Sequence, residues 1–474
     1  MTKELAFYTG KIKYKEIDFN FVFDGEELRL ISPVDKKNEV RHNILMNKIS
    51  DGVYTFASPT MEDAYLIGVS HETGQTLIFL TKQWVQIGCY NEVLFVKIAA
   101  YIICKSESNP ISKMSFACPE LDCVHPVTQG YHCKLKQDDF NNHGILSVTM
   151  ENYDTTNTKP QNFDVDGKDI QVSFGISRSF STKVGQPPLT LYSTMIFEFE
   201  PTDDYSFVAR LWFIAKEFVQ FLCYRRNVFI PVAYLSTPAE EGKPRTFAEL
   251  HWLKESGDNE LNTLEKGRYI RLSYLSGKEG EILNDIAAKK LYTKHIPETY
   301  ASGCSINAAR FVMITAAFEW EFKRTYPDGV KKSDKTLEIE RTATETIQGL
   351  IDGCTGALKE KYKFLKKLIK SDSLQSEIVH TCNDLDEIIG IFGKRLYSLN
   401  NTNLRYCEMG QRLASQRNNF AHGNLDIDFI DNALLDLVFL ERIVYAMQLK
   451  RYGISEKNIQ HAVNDLFRCG VLIS

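Results

Sequence analysis

The feature that most constrains the fold is a change of hydrophobic period partway along the chain. Apolar residues recur at every second position in Ile170, Val172, Phe174 and Ile176, and again through Leu189, Leu191, Met195, Phe197 and Phe199. Alternation of this kind belongs to strands with one buried face. Apolar runs at Tyr65–Gly68 and Thr76–Leu80 precede them, and Asp24-Gly25, Ser58-Pro59, Asn109-Pro110, Asp166-Gly167 and Gln186-Pro187-Pro188 supply turn chemistry between runs. From Leu5 to about Glu200 the pattern predicts an antiparallel sandwich or barrel. After Pro297 the period becomes helical. Helices are expected at Ile306–Arg324, Thr336–Ile351, Ala357–Ile369, Leu374–Phe392, Asn403–Arg417, Asp428–Arg451 and Ser455–Phe467.

Between the two regions, Asp203-Asp204-Tyr205-Ser206 carries capping chemistry for a helix through Tyr224 that is apolar on several faces and so buried between layers. Arg225-Arg226 suits the C-terminal end of that helix. Strands over 228–232 and 269–274 and a short helix over 282–291 complete this stretch. The expected organisation is α+β and multidomain: a β-rich domain over 1–202, a helix-strand extension over 203–297, and an all-α bundle over 298–474.

The chain has 474 residues, 43% hydrophobic and 25% charged, which is globular and not disordered. A net charge of −5 gives no global basic field, so any nucleic-acid contact must come from a local patch. No apolar run approaches the ~20 residues of a membrane span, and no apolar core of a signal peptide follows Met1, so a cytoplasmic protein without membrane contact is expected. Eleven cysteines without regular spacing fit thiols in a reducing compartment. Cys118, Cys123, His125, His132 and Cys133 form one cluster, but it lacks the paired Cys-x2-Cys turn of common zinc sites; no metal or other cofactor is expected. Walker-type glycine loops, His-Glu-x-x-His pairs and Gly-x-Ser-x-Gly elbows are absent from the sequence.

One segment concentrates chemistry: Gln416-Arg417-Asn418-Asn419-Phe420-Ala421-His422-Gly423-Asn424. An arginine can fork two N–H groups onto a phosphate, and histidine exchanges protons near neutrality. Five residues at 3.6 per turn set Arg417 and His422 roughly 140° apart on a continuous helix. Either the backbone bends near Asn418–Gly423, where Asn and Gly tolerate it, or a second copy of the chain completes the site.

This segment, with Ala316-Ala317-Phe318-Glu319-Trp320-Glu321-Phe322 on a preceding helix and an apolar helix through Leu434, Leu437, Leu440 and Val444 after it, resembles the HEPN superfamily. The β-rich region ahead of the bundle is similar in architecture to the ApeA-like HEPN proteins of bacterial anti-phage defence. The resemblance implies a metal-independent endoribonuclease acting in abortive infection. In it the RNA 2′-oxygen attacks the adjacent phosphorus and leaves a 2′,3′-cyclic phosphate, with transfer RNA a plausible target and the β-rich domain a sensor of a phage-derived trigger. It implies His422 as general acid or base, Arg417 on the non-bridging oxygens, and a homodimer or homotetramer through the bundle that supplies a second histidine. Asn418 would orient the histidine or bond the phosphate, or merely cap the helix. Glu319, with Glu321 as the alternative, would pair with Arg417.

For RNA contact the strongest local signal is the helix around 358–370. Leu358, Tyr362, Leu365 and Ile369 read as an inward stripe, and Lys359, Lys363, Lys366, Lys367 and Lys370 as a cationic face that Arg405 and Arg412 extend. Three other classes compete: a non-catalytic RNA- or nucleotide-binding module, a metal-dependent hydrolase centred on Cys118–Cys133, and a carbohydrate-binding sandwich with a helical tail.

Overall fold

The computed structural model describes residues 7–56, 59–90, 93–105, 109–135, 146–151, 157–238, 245–253, 267–369, 372–424 and 428–473. The chain is α+β and divides into two compact units. The first comprises Met1–Leu222, Arg226–Glu265 and Gly277–Lys290, so the stretch expected as an extension largely belongs to the β-rich unit.

Its strands are β1 (Tyr8–Tyr14), β2 (Ile17–Phe23), β3 (Glu27–Ile31), β4 (Met46–Ser50), β5 (Val53–Phe56), β6 (Tyr65–Ser70), β7 (Thr76–Thr81), β8 (Gly88–Tyr90), β9 (Val93–Cys104), β10 (Ile111–Phe116), β11 (Tyr131–Leu135), β12 (Leu146–Met150), β13 (Gln161–Val165), β14 (Lys168–Phe180), β15 (Leu189–Thr202), β16 (Val232–Thr237) and β17 (Arg245–Trp252). Thirteen of them form one antiparallel sheet ordered β13-β14-β15-β10-β16-β17-β9-β3-β2-β1-β6-β7, with β8 also on β9. β9 is long enough to take two sets of partners. Its first half pairs with β3 and β8, its second half with β7 and β17. Because β7 returns to β9, strands β1, β2, β3, β9, β7 and β6 close into a six-stranded barrel.

Alternation along β2 sends Phe19, Phe21 and Phe23 inward, where Phe21 and Phe23 each meet Phe79 edge-on at 5.3 Å. Gly10 and Gly68 make room for this filling: a Cβ on either would stand 2.5 Å or 2.8 Å from the Phe21 ring. Helix α1 (Tyr205–Cys223) lies against the remaining strands through Phe199–Phe207 and Phe174–Phe218 contacts, and its Trp212 stacks on Trp252 at 3.9 Å. Asp204 caps it, its Oδ1 accepting from the N–H groups of Ser206 and Phe207. Helix α2 (Glu279–Ala287) packs against the edge strand β13 and accepts the Asp164 N–H through Asn284. The expected strand over 228–232 begins only at Val232.

The second unit comprises Cys223–Arg225, Lys266–Ser276 and Leu291–Ser474 and is helical. The expected strand over 269–274 is absent; Leu272–Leu275 is a helical turn whose Leu272 and Leu275 are buried together, a three-residue spacing that suits a helix and not a strand. The longer helices are α3 (Ala308–Thr325), α4 (Asp334–Asp352), α5 (Gly356–Ile369), α6 (Leu374–Asp384), α7 (Asp386–Leu399), α8 (Tyr406–Ala421), α9 (Ala433–Arg451) and α10 (Glu456–Phe467). The single helix expected over 374–392 breaks at Leu385, whose ψ of 7° leaves the helical basin between α6 and α7.

Helix α9 is the axis of this unit, buried at every position from Phe439 to Leu449, with α3, α7, α8 and α10 around it. Three of its buried polar side chains reach partners on neighbouring elements. Asp436 takes both Nε (2.7 Å) and Nη2 (2.9 Å) of Arg412 together with the Tyr397 hydroxyl. Glu441 takes Arg310 at 2.7 Å and the Tyr224 hydroxyl, and Gln448 donates to Glu321 at 3.2 Å. Among the described residues no helix is long and apolar enough to cross a membrane.

A buried ion loses far more on losing its partner than the pair contributes in net stability. Arg310→Met therefore should cost about 3–5 kcal/mol in urea unfolding, and Arg310→Met with Glu441→Leu should cost less than Arg310→Met alone. A double substitution at least as damaging as the single would count against the uncompensated-charge account.

Candidate functional site

The segment carrying Arg417 and His422 forms the last turn of α8 and its exit. The helix does not stop at Arg417, as the sequence suggested, and the bend expected near Asn418–Gly423 falls at the last of those residues. It runs on to Ala421, and the reversal falls at Gly423, φ 85°. The Gly423 N–H bonds the Phe420 carbonyl and the Asn424 N–H bonds the Asn419 carbonyl, both at 3.1 Å, the pair of bonds that ends a helix on a left-handed glycine. Buried side chains hold this turn down. Phe420 meets Phe311 and Phe429 at 5.5 Å, and Gln416 accepts the Ile430 N–H at 2.9 Å. Arg417 stands on the last regular turn, and His422 is the cap position just past it, φ −89° and ψ 8°.

Arg417 is half-buried and lies against α3. Its Nη2 donates to both carboxylate oxygens of Glu319 at 3.0 Å, and Nη1 donates to Asn418 Oδ1 at 3.3 Å. Glu321, two residues on and roughly 200° round the helix, is buried with Gln448 and Arg451 and does not face this site. The Arg417 and Glu319 side chains are 34% and 27% exposed, in the range where an ion pair contributes ~0–1 kcal/mol. Such a pair fixes the guanidinium rotamer, yet a phosphate can displace the carboxylate at small cost. His422 is exposed beyond the helix, and among the described residues its imidazole has no hydrogen-bond partner.

A further acid joins from α6. Glu377 is buried, and burial first, then the negative charge of Glu319, pushes its carboxyl up to about 7; Lys323 and Arg417 pull it back. The sequence reading passed over both Glu377 and Lys323. Lys323 had a visible signal, since it follows Glu319 by four residues and shares its helix face. Glu377 had none, because its proximity comes from the packing of α6 against α8 and α3.

The remaining candidates are placed as follows. Arg412 does not extend a cationic surface; its guanidinium is spent on buried Asp436. The stripe of α5 is not inward either: the helix has no buried residue, and Leu358 and Leu365 are 51% and 43% exposed. Lys363 pairs with Glu360, Lys366 donates to Gln348 of α4, Lys359 is half-buried and Lys367 exposed; Lys370 lies outside the described residues. In the β-rich unit Cys118 and His125 are buried, His132 pairs with Glu151 at 2.6 Å and Cys133 is exposed. Among the described residues no three such side chains come together to hold a metal. No family model, curated protein or solved structure matches the chain significantly.

Glu377 gives the fold a pH signature. A carboxyl raised in the folded state from 4.5 to about 7 contributes stability that is complete below the lower value and lost as pH rises through the upper one. The melting temperature should fall from about pH 5 to about pH 8 more steeply for the native chain than for Glu377→Gln. Parallel curves would show that Glu377 ionises normally. Glu319→Gln, by contrast, should change stability by less than about 1 kcal/mol.

Proposed function

We propose that the chain is a metal-independent endoribonuclease of the HEPN type, similar to the ApeA-like proteins, that works with two copies of the Arg417–His422 segment on one RNA strand. The observation that carries this reading is the grouping of Arg417, Asn418 and His422 at the solvent-facing end of α8, with Glu319 of α3 on the guanidinium. In the reaction the 2′-oxygen forms a bond to phosphorus and the bond to the 5′-oxygen breaks. One imidazole takes the 2′ proton, and that of the second copy protonates the departing oxygen. Arg417, released from Glu319, neutralises the non-bridging oxygens as charge builds on phosphorus. In the setting of anti-phage abortive infection the β-rich unit serves as the sensor of a phage-derived trigger, and cellular RNA, transfer RNA included, is the substrate.

One observation favours the second reading, a non-catalytic RNA- or nucleotide-binding module: a single chain presents Arg417 as a phosphate donor but only one histidine, His422, in this segment. Incubating the full chain with total RNA in excess chelator separates the two. Cleavage leaving 2′,3′-cyclic phosphate ends, reduced about 10²-fold or more in His422→Ala with RNA affinity retained, is the expected result. Cleavage that survives in His422→Ala rules out the assignment of that residue, and affinity without any cleavage leaves the binding module.

A further inference from the structure

Helices α4 and α5 form an antiparallel hairpin that packs on itself and leaves a broad apolar face uncovered. α4 buries only Ile351 and α5 buries no residue. Ile339 and Leu350 on α4 are 60% and 43% exposed, and Phe364, Leu365 and Leu368 on α5 are 59%, 43% and 49% exposed. Helical geometry puts both rows on one side. The half-buried residues mark the seam between the helices: Ala343, Ile347 and Gln348 on α4, Tyr362, Lys366 and Ile369 on α5. Viewed from its own N-terminus, Ile339 and Leu350 lie roughly 90° anticlockwise from the α4 seam and Leu365 and Leu368 roughly 70–130° anticlockwise from the α5 seam, with Phe364 at the outer edge of that row. Because the two helices run in opposite directions, the rows open to the same side. Along α4 the face carries a shallow open depression of about 490 Å³ lined by Glu338, Ile339, Thr342, Ala343, Thr346 and Ile347.

We infer that this face is where a second copy of the chain docks, hairpin on hairpin, as a four-helix bundle. The charge distribution selects the occupant. α4 carries five acids against two bases, and α5 five lysines against one glutamate. A two-fold axis that lays each α4 over the partner's α5 alternates acidic and basic helices around the bundle, a self-complementary arrangement. An anionic lipid surface or an RNA would suit α5 and be repelled by α4. Lys361 projects on the apolar side of α5 and, among the described residues, makes no ion pair, so it is available to the carboxylates of a facing α4. Helix lengths of roughly 20–28 Å and a hairpin width of roughly 20 Å give a contact on the order of 1,000 Å² in total, the lower limit for a specific interface. The association is therefore reversible and concentration-dependent. It stands on the hairpin alone and does not depend on whether RNA is cut.

The full chain, weighed by sedimentation equilibrium over a range of concentrations, tests this. Native protein should pass from 54.3 kDa towards twice that mass. Ile339→Glu and Leu368→Glu, at exposed positions the fold tolerates, should raise the dissociation constant at least about tenfold, with Lys361→Glu a smaller rise. Val184→Glu, an exposed position in the other unit, should leave it unchanged. A native chain that stays monomeric overturns the inference, as does a dimer indifferent to Ile339→Glu and Leu368→Glu. So does a hairpin whose apolar substitutions abolish binding to anionic vesicles or RNA without altering mass.

Discussion

Three of the polar side chains buried along α9 set the geometry of the helical unit. Asp436, Glu441 and Gln448 are buried along α9, where an unanswered carboxylate or amide is costly. Asp436 is answered by α8 and α7, Glu441 by α3 and Tyr224, and the Gln448 amide N–H by Glu321 of α3. A buried ion pair adds little net stability, but it tolerates little rotation of either helix. Arg412 turned inward obliges Arg417, five residues later, to look elsewhere; Glu321 turned inward does the same for Glu319. The outward pair Arg417–Glu319 is thus a consequence of polar satisfaction inside the bundle.

How much of this was legible depended on whether a residue's partner lay on its own element. The change of period located both regions, and the ends of α5 and α10 were near those expected, because a stripe and a cap are local. The break at Leu385 and the helical turn over Leu272–Leu275 carry no glycine or proline to announce them. Glu319 was separable from Glu321 only once Gln448 and Arg451 were seen to claim Glu321. Glu377 could not be read from the sequence, since its environment is assembled from other helices. The apolar stripe of α5 was legible, but its direction was not: periodicity says that a face seeks apolar contact and leaves open whether its own chain provides it.

The β-rich unit resolves a different problem. A single twisted sheet of thirteen strands is beyond the size at which open sheets stay flat, and here β9 lets one end curl into a closed barrel while the other continues open under α1. Closure removes the edge at that end, and α2 covers β13 at the other.

The clamped end of α8 bears on how RNA would be met. Phe420 wedged between Phe311 and Phe429, Gln416 tethered to Ile430 and the left-handed Gly423 together keep the final turn from fraying. The backbone entropy of placing the Arg417–His422 turn is settled when the chain folds, and only the side chains are left to arrange at an encounter. On the proposed reading, such a turn would act as a rigid die, favouring strands already able to present a phosphate in the required pose and leaving adaptation to the nucleic acid.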